Sequence, residues 1–165
     1  MLVVGLTVID PGTGVIAPIA IGSTLMIMVY AGGHLSWGHY NLAVTLGVWI
    51  REKCPSKDVL PYMGSQILAR LIAARIVIFL KLTTMISTAS PNTVLASLIE
   101  FFFAFALVYV VLNTATCERN DGNSYYGLAI GFTIVVGVSA GSSISGVFTT
   151  QRWPSEFQLW LECME

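Results

Sequence analysis

One run, Gly32-Gly33-His34-Leu35-Ser36-Trp37-Gly38-His39-Tyr40-Asn41-Leu42-Ala43-Val44-Thr45, constrains what this chain can fold into more than any other. It is rich in glycine and carries both histidines of the sequence. It follows directly on an apolar stretch, about residues 15–31, that reads as a bilayer-spanning helix. Lipid offers no water to exposed N–H and C=O groups, so irregular polar backbone there persists only where protein buries it or where it lines a wet cavity. Asn41 is a strong N-cap for the residues that follow, which are apolar at Leu42, Val44, Leu46 and Val48. A helix over 41–50 is too short to cross, and a re-entrant half-helix fits its length.

Composition extends this to the whole chain. Charged residues make up 10% of the sequence, against roughly 25% in soluble domains. The mean hydropathy is +0.77. A chain of 165 residues has room for four to five spans of about 20 residues in a single domain. The net charge of -1 argues against a nucleic-acid partner. No signal peptide is expected, because Met1 leads straight into Leu2-Val3-Val4-Gly5-Leu6 with no basic segment. Cys54, Cys117 and Cys163 match no metal spacing and read as incidental thiols. No nucleophile–base pair and no phosphate loop is present, which excludes an obvious enzyme, and no cofactor is expected.

Apolar blocks at about 61–80, 94–112 and 126–140, the last with 144 as an alternative end, predict three further spans, and 1–9 is too short for one. Asp10-Pro11-Gly12 reads as a turn. Arg51, Lys53, Lys57 and Arg119 fall in loops on one side, Lys81 and Arg152 on the other. The excess of positive charge puts the Arg51 and Arg119 loops in the cytoplasm. The histidine-bearing loop is weakly echoed by Ser142-Ser143-Ile144-Ser145-Gly146-Val147-Phe148-Thr149, which also follows a predicted span. Two such interruptions on opposite sides are the trace of an inverted repeat.

The loop resembles the Gly-Gly-His-x-Ser-Gly-Gly-His-x-Asn-Pro-Ala-Val-Thr signature of the aquaporin (major intrinsic protein) channels. The similarity continues through Pro61-Tyr62-Met63-Gly64-Ser65-Gln66, Glu100-Phe101-Phe102, Ala106-Leu107-Val108-Tyr109 and Gly127-Leu128-Ala129-Ile130-Gly131-Phe132. It implies an all-α integral membrane protein, an aquaporin-like inverted-repeat bundle with a re-entrant half-helix, incomplete at both ends. Residues 1–165 would form one such domain, holding family helices two to five and the first half-helix, with an atypical tail over 151–165. The implied function is passive transport of water or a small neutral solute through a lipid bilayer. The alternative is a non-conducting truncated subunit that associates with complete relatives. A homo-oligomer, a tetramer by resemblance, is expected.

By the same resemblance Gly33, His34, His39, Asn41, Leu42 and Ala43 form the pore-lining motif. Asn41 would cap its half-helix and donate to the permeant, while carbonyls of residues 32–39 form an acceptor ladder. Ile21 and Ile134 fall at the selectivity positions, making an apolar ring. Glu100 would be the intramembrane acid that braces the loop around residues 143–146. His34 and His39 read as hydrogen-bonded loop histidines rather than as metal ligands. Phe101-Phe102-Phe103 reads as lipid-facing or packing surface.

Several positions depart from the family. Trp37 replaces a glycine, putting a large ring where backbone approaches closely, and Leu42 replaces a proline. Thr149-Thr150-Gln151 stands where the second Asn-Pro-Ala is expected, and the context of Arg152 does not match the family arginine. The tail holds Trp153, Phe157, Trp160 and Leu161, which suit an interfacial helix. Arg70 and Arg75 fall inside the third span, where each costs about 2.5–3.5 kcal/mol at a helix centre. They read as damage to the span or as helix–helix pairing residues rather than as gating charges.

Overall fold

A segment that lies in lipid satisfies its backbone internally, and here every described apolar block does so as a helix. The computed structural model describes residues 2–8, 14–80 and 93–145. The elements are α1 (Leu2–Val8), a 3-10 turn (Gly14–Ile16), α2 (Ala17–Ser36), α3 (Leu42–Ile50), α4 (Ser56–Leu80) and α5 (Thr93–Ala115). A second 3-10 turn (Glu118–Asn120) then leads to α6 (Tyr126–Ser145). Gly14–Ser36, Ser56–Leu80 and Val94–Ala115 are long and apolar enough to cross a membrane, and Tyr126–Gly141 is a shorter apolar helix. The architecture is an all-α, multi-pass membrane fold.

Two boundaries differ from the reading of the sequence, and a third takes the longer of two expected ends. α2 runs on to Ser36 rather than ending near residue 31. Its end is set by Trp37, which adopts a left-handed conformation (φ 63°) and donates its N–H to the Gly33 carbonyl. α4 starts at Ser56 rather than near residue 61, with Asp58 in its first turn and Pro61 inside. An acidic residue favours the positive end of the helix, and Pro61, in the second turn, has no N–H to give the Lys57 carbonyl. α6 continues through Ser142–Ser145, so the first half of the echoed motif is helical. Its second half, the expected site of the second half-helix, and the tail over 151–165 lie outside the described residues.

Small residues let the helices approach. A Cβ on Gly131 of α6 would stand 2.7 Å from the Gly22 carbonyl oxygen of α2, so the two backbones touch here only because both residues are glycine. One turn earlier Tyr30 of α2 lies over Gly127 and meets Tyr126 edge to face at 5.1 Å. The Tyr30 hydroxyl accepts from the Leu128 N–H (3.2 Å) and donates to the Ser124 carbonyl (2.9 Å). It thereby satisfies one of the N–H groups that the start of α6 leaves open. On the other face of α6, Phe103 of α5 packs over Gly137 and Gly141. Phe101 and Phe102 point outward instead, so the aromatic run divides between core and lipid surface.

The short α3 is wedged among the long helices. Val44 and Val48, one turn apart, join Val29, Leu107, Val111 and Ile130 in a single buried cluster. Gly47 packs on Val108, and Lys53 Nζ lies 3.6 Å from Glu118 Oε1. α3 therefore runs parallel to the second half of α5. At about 1.5 Å per residue in both helices, the start of α3 is level with the middle of α5. The Lys53–Glu118 contact also shows that the loops after α3 and after α5 share one face of the bundle.

The Gly22–Gly131 contact yields a test. Gly131→Leu forces the α2–α6 backbones apart and should cost about 1–3 kcal/mol, the usual penalty of overpacking. It should lower the thermal unfolding midpoint in detergent. Gly64, which faces open space, can be changed to Ala without such a loss.

Candidate functional site

Asn41 fixes the site. Its backbone is extended (φ -149°, ψ 135°), and its side-chain Oδ1 accepts the Ala43 N–H at 2.8 Å. This is an N-cap: the first residues of a helix have no preceding carbonyls, and a short side-chain acceptor supplies one. The Asn41 carbonyl receives both the Thr45 N–H and the Thr45 hydroxyl, each at 3.0 Å. Among the described residues the N–H groups of Leu42 and Val44 and the Asn41 Nδ2 have no protein partner. A proline at position 42 would have no N–H, so Leu42 adds a donor to this helix end. The end also carries the positive pole of the helix dipole.

Asn41, Leu42 and Val44 line a cleft of about 1560 Å³. Its walls bring together most of the residues singled out in the sequence. Gly33, His34, His39, Asn41 and Leu42 line it from the α2–α3 connection. Ile21 and Ile134 line it from α2 and α6, and Glu100 from α5. Ala43 is not on the wall; its contribution is the capped N–H.

The connection is held by tyrosines. The Tyr62 hydroxyl of α4 donates to the Ser36 carbonyl (2.7 Å) and accepts from the His39 N–H (3.2 Å). Its ring sits 4.8 Å from the His39 imidazole. Tyr40 folds back on α2 and donates to the Met28 carbonyl (3.1 Å), over a position where only Gly32 leaves room for its hydroxyl. The acceptor ladder expected over residues 32–39 is accordingly shorter. The Gly33 and Ser36 carbonyls are already engaged by Trp37 and Tyr62, because α2 extends through them. Trp37 does not crowd the backbone: its ring is 66% exposed at the rim of the cleft, and its cost is a left-handed φ.

Arg70 falls inside α4, as expected, and no ion pair holds it among the described residues. It lines the cleft together with Ile67, Leu71 and Ala74, a strip at helical spacing along α4. That spacing was legible, but which face of α4 turned inward was not. Arg70 and Glu100 thus bring opposite charges into one cleft, with no ion pair between them within 4 Å. The expected bracing of residues 143–146 by Glu100 lies outside the residues whose side chains are described. His34 is exposed and His39 is 7% exposed, and no group of three metal-ligating side chains occurs among the described residues.

Comparison with known proteins adds a family. The family described as "Major intrinsic protein" matches residues 6–149. Nodulin-26 of Glycine max is 32% identical over 129 residues, covering 76% of this chain and 47% of that protein. Aquaporin NIP1-1 of Oryza sativa subsp. japonica is 35% identical over 129 residues, with 76% and 45% covered. Aquaporin Z of Photorhabdus laumondii is 41% identical over 58 residues, with 35% and 25% covered. The chain spans a little under half the length of the first two.

Two substitutions test the site's construction. Trp37→Gly removes a left-handed side chain and should stabilise the protein by about 1 kcal/mol in thermal unfolding. Asn41→Ala removes the cap and should destabilise it by about 1 kcal/mol.

Proposed function

The chain belongs to the major intrinsic protein family, and we propose that it is a passive channel for water or small neutral solutes built around the N-terminus of α3. The observation that carries this reading is the set of open donors at that end, the Leu42 and Val44 N–H groups and Asn41 Nδ2, beside a cleft level with the middle of α5. A neutral hydroxylic molecule recovers there some of the hydrogen bonds it leaves in water. A cation is repelled by the positive pole of α3. Family membership is consistent with transport rather than catalysis.

On this reading Asn41 donates to the permeant through Nδ2 while Oδ1 keeps the cap. Ile21 and Ile134 form an apolar constriction, and Gly33, His34, His39 and Leu42 complete the wall. The described spans correspond to family helices two to five with the first half-helix, within one domain. The loops holding Arg51 and Arg119 lie in the cytoplasm, on the positive-inside bias. The exposed aromatic face of α5, Phe101, Phe102, Phe105 and Tyr109, suits packing against lipid or a second copy, and a homo-tetramer is the expected assembly.

Stopped-flow light scattering on proteoliposomes tests the proposal, under an osmotic and then a glycerol gradient. Shrinkage several-fold faster than empty vesicles is expected, with the two gradients separating water from a larger solute. Asn41→Asp should change that rate while insertion is retained. Rates equal to empty vesicles, with insertion confirmed, would instead assign the chain as a non-conducting subunit.

A further inference from the structure

A polar knot lies behind the α3 N-terminus, and its protons can be counted. The Thr45 hydroxyl has one hydrogen, donated to the Asn41 carbonyl at 3.0 Å. Its oxygen is then an acceptor toward both other neighbours, His39 Nδ1 at 3.3 Å and Gln66 Nε2 at 3.0 Å. With that hydrogen so placed, the Nδ1-protonated tautomer of His39 is the one that completes the third contact. An unpaired imidazolium is costly to bury, so the ring is neutral and Nε2 is a bare acceptor. Gln66, whose amide nitrogen faces Thr45, is left with Oε1 as a second bare acceptor. Both atoms are buried, and neither has a partner in the protein. The Tyr62 hydroxyl, bonded to the His39 N–H, cannot help, since it donates to Ser36.

We propose that one resident water molecule occupies this knot and donates its two hydrogens to His39 Nε2 and Gln66 Oε1. Two orphan acceptors on different elements match the two donors of a single water, and leaving each unmade would cost about 1–3 kcal/mol. A monovalent cation would also suit two acceptors, but the site lies at the positive end of α3. His39 forms part of the cleft wall. The water ties α4 to the loop that carries Asn41, so it is a structural component and not a molecule in transit. The assignment does not depend on whether the chain conducts.

Solid-state NMR of the full chain in lipid bilayers tests it, with 15N-histidine labelling and His34→Gln so that His39 is the only ring. The expected result is the Nδ1-protonated neutral tautomer, with polarisation transfer from a slowly exchanging water to Nε2. In Gln66→Leu that slow water correlation should be lost. An Nε2-protonated tautomer overturns the proposal. So does the absence of a water contact at Nε2, or a contact that exchanges with bulk and is unchanged in Gln66→Leu. If Gln66→Leu fails to fold, the tautomer and water lifetime in the chain carrying only His34→Gln decide the matter.

Discussion

A helix that begins inside a bilayer has to satisfy its first N–H groups without help from lipid, and the rest of this structure is arranged around that requirement at α3. Asn41 meets part of it with its own side chain. The remaining donors are tolerable only because a cleft lies beside them. The same open donors that would be a liability against lipid become the useful chemistry of the site. Structural need and proposed function are therefore two consequences of one helix end.

Holding that end at depth takes contacts from every side. Val44 and Val48 key α3 into α2, α5 and α6. On the α4 side Thr45 gathers His39 and Gln66, and Tyr62 bonds both Ser36 and His39. α2 and α6 form the rigid wall behind, where backbone lies against backbone at Gly22 and Gly131. Apolar attraction between helices is weak in lipid, so close packing and hydrogen bonds supply what burial from water supplies in a soluble core.

The departures from the family look different once placed in three dimensions. Trp37 is a matter of backbone conformation and not of blocked space, since its ring lies at the rim. Leu42 keeps the helix start and adds an N–H to it. Arg70 is turned into the cleft, where Glu100 also lies, and this relieves the cost of a guanidinium facing lipid. Leu42 and Arg70 thus alter the electrostatics of the cleft, and Trp37 the backbone conformation at its rim.

Much of this was legible in the sequence, for local reasons. Low charge and long apolar blocks determine a helical membrane chain, because lipid permits little else. An Asn before a short apolar stretch determines a capped half-helix, since capping involves only residues two or three apart. The signature loop identified the family. Helix ends were less legible: α2 absorbed residues 32–36, and Tyr62 holds that last turn from another element, α4. Only the tertiary structure decided which face of α4 carries Arg70 inward, and that Thr45, His39 and Gln66 meet behind α3. Those outcomes depend on contacts between residues far apart in the chain, such as Thr45 with Gln66, and no local periodicity encodes them.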